Sequence, residues 1–326
     1  MDVPVFSALL VGLGRIGMLY DADLPPGPTL THARALSTHP GWRLTGGVDP
    51  DPGRRDRFTA LYGAPAWAGL DGVPPGSCDL IVLATPPEGR LELARACLAL
   101  RPRMLLLEKP LAADAAEGRA ILDACARENV PVFVNYHRRC DPAVRRLKDM
   151  IDSGGLTRLR AGRAVCSGGL RHNATHFVDL ARCLLGEPAA ADITDRPGRT
   201  AADADDVDFV LTFGGAAVYF QALPGRAYSH ADVEFFFAEG VVRYGDFGST
   251  VSLRPVVADP LYPDYSILDA PRELAAPGDF EQSQRHVAAH LHRALAHGQA
   301  LYSDGQSALA TLELCERIAR RWTRSA

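Results

Sequence analysis

Val5-Phe6-Ser7-Ala8-Leu9-Leu10-Val11 runs without interruption into Gly12-Leu13-Gly14-Arg15-Ile16-Gly17, and this stretch limits the possible folds more than any other. The first seven residues are mostly apolar and lack Pro, Asp and Asn, so they read as a buried parallel strand. The glycine spacing that follows is that of a dinucleotide-binding turn. Gly12 permits the tight turn, Gly14 lets backbone approach a pyrophosphate, and Gly17 lets a helix pack on the strand. Arg15 and Ile16 fill the variable positions, where free N–H groups face the anion. A second strand, Leu44 to Val48, ends in Asp49, whose carboxylate can accept both ribose hydroxyls and repels a 2′-phosphate. NAD is therefore expected. NADP stays open, because Asp49 also suits a plain surface turn before Pro50-Asp51-Pro52-Gly53, and Arg54 and Arg55 lie close enough to receive a phosphate.

From Gly17 to Asp49 the chain is longer than the roughly 20 residues this motif needs, so a segment is inserted. Pro25, Pro26 and Pro28 confine it to Asp21–Thr29 by ending the helix expected after Gly17. A helix resumes near Thr31, with His32, Ala35 and Leu36 on one face. The insertion reads equally as cover for a ligand or as surface decoration.

Further on, the alternation repeats. Asp79 to Ala84, Met104 to Leu107 and Val130 to Val134 read as strands, with helices from Glu88 and after Asp114 between them. Alternating strands and helices form a doubly wound parallel sheet whose ligands sit at the carboxyl ends of the strands. Thr85, Glu108, Lys109 and Asn135 fall at such ends. Beyond Asn135, helices over Asp141 to Asp152 and Thr175 to Leu185 flank a strand, Leu159 to Ser167. Five strands between Val207 and Val257 then follow, joined by short turns such as Gly214-Gly215, which make an open, mostly antiparallel sheet. The expected division is 1–135 and 136–326, with the last helix returning to the first domain. Apolar groups on both faces of the second sheet point to a homodimer or homotetramer formed through it.

At 326 residues and 47% hydrophobic content the chain can build both cores. A net charge of -4 with dispersed arginines argues against nucleic acid. Seven scattered cysteines without C-x-x-C spacing suit reduced thiols in a cytoplasm, and no apolar run nears the ~20 residues of a membrane helix.

The Gly12–Gly17 turn, Ala84-Thr85-Pro86, Glu108-Lys109-Pro110, Asn135 through Arg139 before Asp141-Pro142, and Asn173-Ala174-Thr175-His176-Phe177-Val178-Asp179 together resemble the glucose-fructose oxidoreductase / inositol dehydrogenase / MocA (Gfo/Idh/MocA) family. The resemblance implies an N-terminal Rossmann domain, a C-terminal α+β domain with an open sheet, and NAD-linked hydride transfer at a secondary alcohol of a sugar or cyclitol. It places Thr85, Pro86 and Glu108 with the glycine turn and Asp49 at the cofactor. Lys109 becomes the group that holds the reacting hydroxyl, and His176 the acid or base, with Asp179 matching the segment's last acid. Alcohol oxidation needs a base for the hydroxyl proton and a cation for the developing alkoxide, which an imidazole and a partly desolvated lysine supply.

The chain departs from the family at His172, where relatives carry an acid, and at Arg90, where many have a histidine. His172 is read as touching substrate or relaying a proton. His172 and His176 are also spaced to share a helix face, but no third ligand is placed and no metal is expected. His137, Arg138, Arg171, Asn173 and Asp179 are expected to line the substrate site, where Asp179 could also orient the His176 imidazole, and Arg90, Arg138 and Arg171 could each recognise a substrate anion or be ordinary surface arginines. The same fold also serves NAD-dependent glycosidases and non-catalytic nucleotide sensors, which stand as alternative functions.

Overall fold

Six short runs of largely apolar residues form β1 (Phe6–Val11), β2 (Trp42–Val48), β3 (Ala66–Trp67), β4 (Leu80–Leu83), β5 (Met104–Leu107) and β6 (Val132–Val134). The computed structural model, which describes residues 3–194, 205–223, 228–276 and 279–325, pairs them in the order β3-β2-β1-β4-β5-β6. Every pair is parallel. Each residue of β4 and β5 is buried, as a strand covered on both faces requires. The strand order reverses between β1 and β4, which opens a crevice at their carboxyl ends beside the glycine turn. The helices α1 (His32–Thr38), α2 (Pro52–Tyr62), α3 (Arg90–Ala99) and α4 (Ala115–Arg127) make the crossovers. Thr31, Asp51 and Asp114 cap three of them by accepting a first-turn amide.

The chain divides into two compact units, Met1–Cys140 with Glu281–Leu312, and Asp141–Phe280 with Glu313–Ala326. The second holds α5 (Pro142–Asp152), β7 (Leu159–Ser167), α6 (Thr175–Leu185), β8 (Ala190–Ile193), β9 (Phe209–Phe213), β10 (Ala216–Leu223), β11 (Ala231–Phe237), β12 (Gly240–Gly245), β13 (Thr250–Ala258), β14 (Ser266–Leu268) and β15 (Arg272–Glu273). They pair as β14-β13-β12-β11-β7-β10-β9-β8, with β15 on β13. All neighbours are antiparallel except β7 and β10. That exception has a cause: after β7 the chain crosses through α6, and a helical crossover lets a later strand return parallel. Val218, Phe220, Val233 and Phe235 face a core shared with Phe177, Val178 and Ala181 of α6. Two helices follow, α7 (Ser283–His297) in the first unit and α8 (Gly305–Ser325), within which the division falls.

One local expectation changes. The helix anticipated after Gly17 is a single π-helical turn, Arg15–Leu19, in which Tyr20 N–H bonds Arg15 O. The chain then turns into the insertion, which is anchored from inside. Asp21 is fully buried, and its carboxylate accepts from Leu30 N (2.8 Å), Thr31 N (2.9 Å) and Thr31 Oγ1 (2.7 Å). The Arg34 guanidinium donates to the carbonyls of Asp21, Leu24, Pro25 and Pro28, and Gln282 Nε2 to Gly27 O. The prolines free the carbonyls that Arg34 collects, so a segment without regular structure is still held in one shape.

Candidate active site

In the first unit the three motif glycines are required for different reasons. A Cβ on Gly12, whose φ is +94°, would lie 2.6 Å from Ala84 O, and one on Gly17 would lie 2.1 Å from Gly12 O. Those two contacts seat the turn against β4 and itself. On Gly14 the nearest atom is Arg54 Nη1 at 3.9 Å, so this glycine leaves open the side from which a pyrophosphate approaches. Arg15 is exposed and Ile16 half-buried.

Asp49, at the tip of β2, is only 3% exposed. Its Oδ2 accepts from Leu13 N (2.8 Å) and its Oδ1 from Asp51 N (2.9 Å), while Arg54 Nη1 stands 3.4 Å from Oδ2. The carboxylate therefore fastens β2 to the glycine turn, a duty that sequence reading did not assign. A carboxylate has about four lone-pair sites, so these bonds leave room for a further donor. Arg55 gives its guanidinium to the carbonyls of Asp49 and Pro50, which leaves Arg54 as the neighbouring cation poised over Gly14.

At the ends of β4, β5 and β6 the first unit gathers a buried polar cluster. Glu108 Oε1 accepts from His32 Nε2 (2.7 Å) and Asn135 Nδ2 (2.6 Å), and Oε2 from the Lys109 amide (3.2 Å). Asn135 Nδ2 also donates to Gln284 Oε1 at 3.2 Å. Burial alone raises a carboxyl pKa; here the His32 bond and charge, the Asn135 bond and the Lys109 charge outweigh it and hold Glu108 below its ordinary range. Glu108, expected at the cofactor, thus turns its carboxylate inward to brace its neighbours. Lys109 is half-buried, and burial, assisted by Arg138 and opposed by Glu108, lowers its ammonium pKa. His137 is pushed well below its usual range by burial and by Arg138, Lys109 and His32. It is a neutral ring whose Nε2 accepts from Arg138 Nη1 at 3.2 Å.

Arg90 corrects an expectation. It is neither a surface arginine nor an anion receptor: it is 1% exposed and spends its guanidinium on main-chain carbonyls. Nη1 donates to Glu108 O (2.5 Å), Pro110 O and Leu111 O (3.3 Å), and Nη2 to Thr85 O.

Thr85 Oγ1 and Asn135 Oδ1 are buried and have no hydrogen-bond partner among the described residues. They stand at the ends of β4 and β6, on either side of Glu108-Lys109 at the end of β5. A nicotinamide carboxamide and its ribose carry the donors and acceptors such atoms lack. With the open face at Gly14, the residues present fit a nicotinamide dinucleotide. Pro86 is exposed beside Thr85.

The second unit carries the remaining expected residues on a π-helical turn, Gly169–Ala174, that runs directly into α6. Thr175 N–H bonds Leu170 O across this widened turn, a geometry frequent at functional sites. Arg171 and His172 are exposed and His176 is half-buried at the start of α6. Because the turn is widened, His172 and His176 do not follow the regular i, i+4 helical spacing. Asn173 donates its amide to Ser167 O (2.8 Å), which ties the turn to β7. Asp179, expected to touch substrate, is 1% exposed. It lies three residues after His176 on α6, in the interior of its unit.

The residues missed from sequence are His32, Asn135 as a cluster member, and Gln284. His32 carried a faint signal, as a polar residue on the inner face of a short helix beside the insertion. Gln284 carried none.

Residues 6–136 match the model of the Gfo/Idh/MocA oxidoreductase family, NAD-binding Rossmann fold. Inositol 2-dehydrogenase of Rhizobium meliloti (strain 1021) is 26% identical over 223 residues, 62% of this chain and 63% of its own length. Inositol 2-dehydrogenase 2 of Saccharopolyspora erythraea is 30% identical over 224 residues, 61% of this chain and 64% of its own. The matched region thus spans a little under two thirds of these curated relatives. In overall fold the chain is similar to a levoglucosan dehydrogenase in complex with NADH and levoglucosan (TM-score 0.76, 19% identity, 98% of both chains). It is likewise similar to a putative myo-inositol dehydrogenase from Sinorhizobium meliloti 1021 (TM-score 0.74, 20% identity, 99% and 98% of the two chains).

Proposed function

We propose that this chain, a member of the Gfo/Idh/MocA oxidoreductase family, is an NAD-dependent dehydrogenase of a secondary alcohol on a sugar-like or cyclitol substrate. The observation that carries the reading is the buried cluster at the strand ends, where Glu108, His32 and Asn135 fix Lys109 beside two unsatisfied polar atoms next to the glycine turn. Bound NAD supplies the hydride acceptor. Lys109 holds the substrate hydroxyl and favours the alkoxide that forms as its proton leaves. His176 takes that proton in oxidation and returns it in reduction, with Asp179 orienting the ring. Arg138, His137, Arg171 and His172 supply polar contacts to the substrate.

The test is a panel of myo-inositol, scyllo-inositol, levoglucosan and D-xylose, each with NAD and with NADP, followed by nicotinamide absorbance. Oxidation of at least one with NAD is expected; inactivity across a wide set of polyols with both coenzymes counts against the reading. His176→Asn should lower kcat by at least ~10²-fold with NAD affinity unchanged. Asp49→Ala should weaken NAD by about tenfold through the lost ribose bonds. Arg54→Ala should weaken NADP more than NAD, and the two dissociation constants, measured by fluorescence titration, check both statements.

The outer face of the second sheet is the proposed self-association surface. Tyr219 is exposed between buried Val218 and Phe220 on β10, and Leu261, Tyr262, Tyr265 and Ile267 are exposed around β14. A homodimer or homotetramer is expected by light scattering.

A further inference from the structure

We propose that Arg90 is a positioning residue for Lys109. The inference rests on the catalytic reading of Lys109, but its geometry stands independently. One guanidinium nitrogen, Nη1, holds the carbonyls of Glu108 and Pro110, the residues on either side of Lys109, and reaches Leu111 O at 3.3 Å. Its other terminal nitrogen holds Thr85 O, at the end of the neighbouring strand. The peptide plane that leads into Lys109 and the one that follows Pro110 are thereby tied to the tip of β4 by a single side chain that projects from the first turn of α3.

Alternative tasks for Arg90 do not fit. It is as buried as the apolar core and forms no ion pair with a carboxylate among the described residues, so its direct partners are main-chain carbonyls. Burial lowers its pKa to about 10, against the pull of Glu108, Glu117 and Glu88, and it stays charged at neutral pH. A planar fork with five donors can serve these four carbonyls at once; an imidazole, with one N–H donor when neutral and two when charged, cannot. A misplacement of about 1 Å at a reacting group can lower a rate by ~10²-fold, so a dedicated clamp on the Lys109 backbone has a catalytic consequence.

The sequence offers a direct readout, since Lys109 and Lys148 are the two lysines among 326 residues. Lys148 pairs with Asp152 on α5 in the other unit and reports on general loosening. The full-length protein and its Arg90→Met, Arg90→His and Arg90→Lys variants would be labelled with trace acetic anhydride, and the Lys109/Lys148 labelling ratio read by peptide mass spectrometry. Arg90→Met and Arg90→His should raise the ratio by at least about tenfold as the turn opens locally, and Arg90→Lys by less. On any polyol the protein oxidises, Arg90→Met should lower kcat by about 10²-fold and leave the KM for NAD little changed. An unchanged ratio in the folded Met and His variants overturns the proposal. So does equal acceleration at Lys148, which would mark Arg90 as a general stabiliser. A raised ratio in a protein whose Lys109→Met variant keeps full turnover would leave the clamp standing and remove the catalytic reading instead.

Discussion

Replacing Lys109 by methionine should lower kcat/KM by on the order of 10³-fold, while the dissociation constant for NAD stays within about a factor of two. Methionine keeps the length and apolar stem of the side chain, so the half-buried site stays filled and only the ammonium is lost. Lys109 follows Glu108 at the end of β5, and its amide is held by the Glu108 carboxylate regardless of the side chain. Folding and coenzyme binding should therefore survive. On the proposed mechanism, what disappears is the cation that meets the developing alkoxide, an interaction made more strongly in the transition state than in the ground state. Steady-state kinetics paired with fluorescence titration of NADH separates these quantities. Turnover retained within tenfold would show that the ammonium is not used.

His32→Ala should destabilise the protein by about 3 kcal/mol at neutral pH, because it leaves the buried Glu108 carboxylate without one of its two side-chain donors. The pH dependence has a definite sign. Glu108 has a lowered folded-state pKa, so it contributes stability that is present above its unfolded value, near 4.3, and is lost as pH falls through the folded value. The gap between wild type and His32→Ala in urea unfolding should thus be wide at pH 7 and narrow in acid. His32→Gln, which keeps a donor, should recover part of it. A gap that stays constant down to pH 3 would mean that the His32 bond is not what stabilises the carboxylate.

The parts of this fold that were legible in the sequence are those with a one-dimensional signature. Leu80–Leu83 and Met104–Leu107 read as strands because both their faces are covered, and Val233, Phe235 and Phe237, alternating with Glu234 and Phe236, marked a strand with apolar groups on both faces, of which the Val233 face is the buried one. Ala66–Trp67 and Arg272–Glu273 are two-residue strands, too short to display a period, and exist because a neighbouring edge offers carbonyls and amides. The site divides in the same way. Lys109 and His176 could be proposed because they lie in recognisable segments, whereas the Asn135 partner Gln284 is 149 residues away and only the folded chain brings the two together. Arg90 was misjudged since a cation near a cofactor loop suggests an anionic ligand. Its partners are carbonyls freed where two strands end, and no local pattern encodes that convergence.

The Asp49 carboxylate bound to the Leu13 amide has a further implication. A glycine-rich loop is ordinarily floppy, and its ordering subtracts from the affinity for whatever it grasps. Here an acid on the adjacent strand holds an amide within the loop, so part of that ordering is supplied by the fold itself. Correspondingly more of the coenzyme's binding energy is kept for affinity rather than spent on folding the loop.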